Sequence, residues 1–452
     1  MDKLRAEDKS LDQFFSLKTC EMDSSTKEER ARGQKVNRAV VYCNNLSGLI
    51  ARVHQHRGFH PRTRYFVKVG IDGGGSFLKI CLNLEKQDDE FSSPASQKTK
   101  WSYAAGACSD KFKDSGVRKL MILAMVENAS ESYSNLKLLL DLLELNTILR
   151  SEDISYSYAF DMKLANGFLG LGTAASTYPC PWCELPKSDF ANPDLLFNGG
   201  KLRTLGSIRE HAGKYQAAAE NHTGKNKLSS APFYSCEQVP LCEFDDDSML
   251  VLDLVPPMEL HLMLGVVNNL YYCLDGRLKR KACSISAKDW AAPLGLARSA
   301  HYGGQFNGNQ CRTLLSNTDS LKQMLQREGA LNVGEPVLNA FIAFNMVRNA
   351  CFGMTCSADF EIHVRRFAEA FLELDLSVTP KIHAVFVHVP QFLIRQKCPN
   401  KGLGHWSEQA SEAVHSDFDS LWVGSSYKRA MSHKEYGTQL HKCVITYNSR
   451  HQ

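Results

Sequence analysis

The clearest hydrophobic pattern along the chain begins at Tyr65. The run YFVKVGI is aromatic and β-branched, of the length of one buried strand, and it halts at Asp72-Gly73-Gly74-Gly75 before SFLKICLNL resumes it. That alternation of apolar run, glycine-rich break and apolar run predicts a hairpin. A polar loop, EKQDDEFSSPASQKTK, follows; KLMILAMV then predicts a third strand and ESYSNLKLLLDLLELN a helix with leucines at helical spacing. ISYSYAFD predicts a fourth strand ending at Asp161, and MKLANGFLGLG a short helix. The predicted order is β-β-β-α-β, with one acid at the end of the first strand and another at the end of the fourth.

The flanks differ in texture. Residues 1–64 are charged and irregular, with KEERARGQK, the mildly amphipathic AVVYCNNLSGLIARVHQH and the basic RGFHPRTR, and are expected to form a solvated segment with one helix. Residues 184 to 250 are polar and loop-rich, expected as a surface subdomain or connection. From Leu250 helical spacing dominates, in VPPMELHLMLGVVNNLYYCL, where Pro256-Pro257 suits a helix start, and then in GNQCRTLLSNTDSLKQMLQREG, PVLNAFIAFNMVRNACF and ADFEIHVRRFAEAFLELD. The expected division is 1–64 as the N-terminal segment, 65–175 as the first part of an α/β core, 176–395 as a mostly helical insertion, and 396–452 as helices completing the core.

Composition narrows the class. The 452 residues, 43% hydrophobic and 23% charged, allow substantial cores in two or three domains. Fifteen cysteines without regular spacing and an N-terminus lacking an apolar h-region favour a reducing, intracellular setting. No stretch approaches the roughly 18 apolar residues of a membrane span. A net charge of +4 permits nucleic-acid binding through a local patch without indicating it.

Two residue pairs carry metal-ligand spacing. Cys180 and Cys183 in YPCPWC can bring two thiolates to one zinc from a tight turn, and His383 and His388 in KIHAVFVH can complete the tetrahedron. His261 and His301 are alternative imidazoles. Where the first and fourth strands lie side by side, Asp72 and Asp161 at their ends would repel unless a cation bridges them. Magnesium is the natural one, because it takes hard oxygen ligands. Glu408 and Glu412, four apart on one helical face, can add a third carboxylate. No dinucleotide fingerprint or P-loop is present.

In their order these motifs resemble the catalytic core shared by Transib transposases and the catalytic subunit of the vertebrate V(D)J recombinase. Asp72-Gly73-Gly74-Gly75 resembles the family's first catalytic Asp segment, and FDMKL with Asp161 its second; the CxxC begins 19 residues after that Asp. FNGNQCRTLL resembles the Asn-Gly-Asn-x-x-Arg-x-Leu segment. His383, His388, Val389 and Pro390 match the family's zinc histidines, and Trp406 to Ala413 matches the Transib form of its last acidic segment. The resemblance covers residues 65–452. It implies a mixed α+β, RNase H-like DDE core with an all-α, zinc-clasped insertion between the second Asp and the catalytic Glu. It further implies Asp72, Asp161 and Glu412 as ligands of two Mg2+ or Mn2+ ions, one structural Zn2+ on Cys180, Cys183, His383 and His388, and nicking and strand transfer on double-stranded DNA. A homodimer, an accessory subunit and a nuclear location are also implied.

There are two departures. Only 71 residues precede Asp72, where the family carries a long DNA-recognising region, and Val414-His415-Ser416-Asp417 stands where basic residues are usual. Since DNA affinity comes largely from Lys and Arg on phosphates, an altered DNA interaction is expected. The alternative is a domesticated module that kept the zinc-stabilised fold for DNA or protein binding without chemistry.

Overall fold

The computed structural model describes residues 10–59, 65–74, 76–86, 119–150, 154–243, 246–298, 304–396, 400–407, 409–424 and 433–451. Its strands are β1 (Phe15–Met22), β2 (Val36–Cys43), β3 (Tyr65–Asp72), β4 (Phe77–Lys86), β5 (Met121–Glu127) and β6 (Ile154–Ala159). They form one mixed sheet in the order β1-β2-β5-β4-β3-β6. β3, β4 and β5 are successive antiparallel neighbours, and β6 returns parallel to β3. The expected hairpin, third strand and fourth strand are therefore present, and the fold is mixed α/β. The polar loop expected after β4 falls almost wholly outside the described residues.

β5 is buried at six consecutive positions, Met121 to Val126, so both faces of the sheet are covered there. Such a strand reads as a continuous apolar run rather than an alternation. The helix Leu46–His56 starts at the Asn45 cap and buries Leu46, Leu49, Ile50 and Val53, one helical stripe. The helix His433–His451 lies over β1, β2 and β5. Its Asn448, fully buried, donates to Ile122 O and accepts from Ile122 N at 2.9 and 2.8 Å, satisfying a strand that β2 no longer covers beyond the Tyr42–Ala124 pair.

The N-terminal segment differs from expectation. Instead of a solvated stretch with one helix, it supplies β1 and β2 to the sheet. β1 buries Phe15, Cys20 and Met22 and exposes most positions between them, so its polar residues are those of an edge strand.

The chain forms two compact units: residues 1–173, 204–256 and 408–452 around the sheet, and residues 174–203 with 257–407. The stretch 204–256, expected within the helical insertion, belongs to the sheet unit. It holds a 16-residue helix, Leu205–Glu220, opened by a Thr204 capping box whose polar exposed face disguises it as loop. The second unit is helical, with an aromatic core of Phe344, Phe367, Phe371 and Phe386. No helix among the described residues is long and apolar enough to cross a membrane.

Candidate functional site

In the helical unit, Cys180, Cys183, His383 and His388 are all buried, and their ligand atoms lie within 4.8 Å of one another. Cys180 Sγ is 3.2 Å from His388 Nε2, Cys183 Sγ is 3.3 Å from His383 Nε2, and the two Nε2 atoms are 3.0 Å apart. A tetrahedral zinc with bonds of about 2.3 Å to sulfur and about 2.0 Å to nitrogen sets S···N edges of about 3.5 Å. The set therefore matches a zinc site in identity, number and spacing.

Local structure explains how residues so far apart in sequence converge. The turn bearing the two cysteines is pinned by Glu184 N to Lys201 O and Arg203 N to Trp182 O, at 2.9 and 2.8 Å. Arg203 is fully buried, and its Nε donates to the carbonyls of Cys180 and Cys183 at 3.2 and 3.1 Å. It thereby shapes the turn and sets a positive charge beside two prospective thiolates. The histidines sit on a helix that runs from Pro380 to Arg395 with a π-turn at Ala384–His388. In a regular α-helix, residues five apart point about 140° away from each other; the wider π-turn brings them to one side. Pro390 favours that turn, since it lacks the amide that would bond to the Phe386 carbonyl.

The remaining atoms of the imidazoles agree with ligation. His388 Nδ1 lies 2.9 Å from Gln391 Oε1, which fixes Nδ1 as the protonated nitrogen and leaves the Nε2 lone pair for metal. His383 stacks on Phe190 with ring centroids 4.6 Å apart, and its Nδ1 is buried with no hydrogen-bond partner among the described residues. Burial lowers the His383 pKa and so keeps the ring neutral. Burial raises the Cys180 thiol well above its usual value, while the hydrogen bond from Cys180 holds Cys183 well below its own. His261 is not part of the cluster; His301 and Glu408 lie outside the described residues.

In the sheet unit, β3 and β6 pair in parallel register up to Gly70–Ala159. Asp72 ends β3, and Asp161 follows Ala159 by two residues, so both acids stand at the same end of adjacent strands. Asp161 caps the helix Met162–Phe168, its Oδ1 accepting from Leu164 N at 2.7 Å. Asp72 Oδ2 contacts Lys79 Nζ at 2.9 Å and His415 Nε2, and Lys79 Nζ also contacts His415 Nε2. Lys79 is Asp72's partner across the β3–β4 ladder and is fully buried. Burial alone would raise the Asp72 carboxyl, but the hydrogen bond with His415 and the charge of Lys79 outweigh it and hold it well below the usual carboxylate range.

Glu412 belongs to the helix Gln409–Gly424, between two residues that touch the end of β3. Ser411 rests on Gly70, where a Cβ would lie 1.9 Å from its Oγ, and His415 rests on Gly74, where a Cβ would lie 2.6 Å from Nε2. The backbone thus sets Asp72 and Asp161 at one end of β3 and β6, and packs the helix that carries Glu412 against β3. Among the described residues, it is the cysteine–histidine set that gathers three or more ligand atoms around one point.

Several neighbours escape a sequence reading. Glu131 accepts from Gly73 N at 3.1 Å and pairs with Lys163 at 2.6 Å, adding a carboxylate beside Asp72, yet nothing in ENASE distinguishes it from a surface acid. Lys79 is traceable from the hairpin register, and His415 from its spacing to Glu412. Arg203 and Gln391 carry no sequence signal. The chain matches no protein-family model and no curated protein.

Proposed function

We propose that this chain is an RNase H-like DDE recombinase core that nicks double-stranded DNA and joins strands by transesterification. One observation carries the reading: the parallel pairing of β3 with β6, which sets Asp72 and Asp161 at one end of adjacent strands. The strand order β5-β4-β3-β6, three antiparallel strands and a parallel return through two helices, resembles an RNase H-like core. A helix carrying Glu412 packed on Gly70 supports the third acidic position.

Asp72, Asp161 and Glu412 would hold two Mg2+ or Mn2+ ions, which when bound activate water or a 3′-hydroxyl and stabilise the leaving oxygen. Lys79 already marks a cation position at Asp72. Lys79 and His415 keep the Asp72 carboxylate charged and oriented while no other cation is there. The zinc set has a structural role. Double-stranded DNA, a second copy of the chain and an accessory subunit in the nucleus are the partners this reading expects.

A second reading, a domesticated DNA-binding or protein-interaction module, is favoured by the engagement of Asp72 with Lys79 and His415 and of Asp161 with the Leu164 amide. Incubation of the purified chain with supercoiled plasmid in Mn2+ or Mg2+ separates the two. Nicking that is abolished in Glu412→Gln and Asp72→Asn supports the recombinase. DNA retention without nicking supports the module, and undiminished nicking in both variants excludes the acid assignment.

A further inference from the structure

In the helical unit, the helix Glu259–Arg280 carries Tyr272 on a solvent-facing side, 43% exposed although it is a large aromatic side chain. Its hydroxyl donates to the Gly304 carbonyl at 2.9 Å, which fixes the ring, and the Arg298 guanidinium lies over it, 5.1 Å from the ring centroid. One turn further on, at Gly276, the same side of the helix is bare. Outside the helix backbone, a Cβ there would come within 4 Å only of Arg280 Nη1, at 3.8 Å, so Arg280 reaches back over Gly276 towards Tyr272. No packing calls for glycine at that position, where it costs about 1 kcal/mol against alanine, and glycine is the residue that lets a ligand approach the backbone closely. Lys279, Arg280, Lys281 and Arg298 are exposed, and among the described residues none of them is in an ion pair. A helix C-terminus favours cations in its last turn, which accounts for the first three but not for Arg298, which arrives from another segment. The two acids between Tyr272 and Arg298 are engaged elsewhere: Asp275 accepts from Ala287 N at 3.1 Å, and Asp289 from Ser286 N at 2.8 Å.

We propose that this face of the helical unit binds single-stranded DNA, with a base stacked on Tyr272 and the neighbouring phosphates held by Arg280 and Arg298. An exposed aromatic ring beside cations without carboxylate partners is the chemistry that holds unpaired bases, since every base has a π-face to stack and every phosphate a charge to neutralise. A duplex keeps its bases stacked on one another and offers the tyrosine no such face, so the ring selects single strands. The inference rests on the reading that the chain works on DNA, but not on the roles of Asp72, Asp161 and Glu412.

The test uses the full chain with its zinc site filled and without Mg2+ or Mn2+, so that no strand is cut. Fluorescence anisotropy measures binding of an oligothymidylate of about 16 nucleotides, the upper length of one single-strand site, and of a duplex and an oligouridylate of the same length. Tyr272→Ala is expected to weaken oligothymidylate binding at least about fivefold, the smaller end of what one base stacked on an aromatic ring is worth, and duplex binding less than about twofold. Tyr272→Trp, which restores an aromatic face, is expected to recover the loss. Arg280→Gln combined with Arg298→Gln is expected to flatten the dependence of log affinity on log salt by about 0.7 for each phosphate contact removed. Photocrosslinking of an iododeoxyuridine oligonucleotide to the unsubstituted chain, located by peptide mass spectrometry, is expected at the peptide bearing Tyr272. Oligothymidylate that binds Tyr272→Ala undiminished, or crosslinks only elsewhere, overturns the stacking site. Equal losses for single strand and duplex overturn the selectivity, and oligouridylate bound as tightly, with the same dependence on Tyr272, overturns DNA as the ligand. Absence of oligothymidylate binding overturns the inference whatever the plasmid assay gives. Tyr272-dependent binding by a chain that does not nick plasmid upholds the inference and counts against the recombinase.

Discussion

Lys79 decides how the acidic end of β3 behaves as a single residue. It is fully buried, and it touches the Asp72 carboxylate and the His415 ring. Removing one partner of a buried pair strands the other, which costs more than the pair itself contributes. Asp72→Asn is therefore expected to lower stability by about 3 kcal/mol, and adding Lys79→Met to recover most of that loss; urea unfolding of the single and double variants measures both. A double variant no more stable than Asp72→Asn would mean the lysine is not stranded. The pH dependence follows from the same contact. The Asp72 pKa is depressed in the folded chain, so its stabilisation is complete above the unfolded value of about 3.9 and drains away as pH falls towards the folded one. Wild type should thus lose its advantage over Asp72→Asn below about pH 4. Sequence exposes Asp72 as a strand-end acid, but its partners only through the register of the hairpin and the docking of a helix more than 300 residues away.

At the scale of elements, one contact sets where Glu412 stands. Gly70 has no room for a Cβ because Ser411 occupies it, so the Gln409–Gly424 helix reaches β3 only through a glycine. Gly70→Ala is expected to destabilise by about 2 kcal/mol through overpacking, with loss of nicking because the acid-bearing helix is displaced. Ser411→Gly should restore fold and activity in the double variant, less about 1 kcal/mol for glycine within a helix. A Gly70→Ala chain of normal stability would contradict the packing. The elements differ in how far sequence exposes them. β3, β4 and β5 are legible because burial on both faces makes them mostly apolar, interrupted by the buried Lys68, Lys79 and Asn83. β1 and β2 are not, because an edge strand needs few apolar positions and FSLKTCEM shares its polarity with the segments around it. The π-turn is hidden too: five-residue histidine spacing fits no regular helix, and only the following proline hints at the break in the α-helical ladder.

For the whole molecule the question is what the zinc set holds. Its ligands come from two separate stretches of the helical unit, 174–203 and 257–407, so a bound ion cross-links residues 200 apart in the chain. The shorter stretch has little structure of its own, a five-residue 3-10 turn at Lys187–Ala191 and a six-residue helix at Pro193–Asn198. Its buried side chains, Trp182, Phe190 and Leu196 among them, cannot order so many residues unaided, given about 1–2 kcal/mol of backbone entropy for each. Structural zinc contributes on the order of 10 kcal/mol, so the ion rather than packing is expected to fix this stretch. Metal analysis should find about one zinc per chain, reduced in Cys180→Ser. Chelation should then raise amide hydrogen exchange across residues 176–203 and 380–395 while leaving β3 and β6 protected, since the sheet unit has a core of its own. The spacing of the ligands is legible in sequence; the extent of chain that depends on them is not, because the intervening residues 204–256 belong to the other unit and interrupt the expected insertion. Exchange that rose uniformly through both units would mean the zinc stabilises the chain as one cooperative body, and exchange unchanged at residues 176–203 would mean that packing alone holds the cysteine turn.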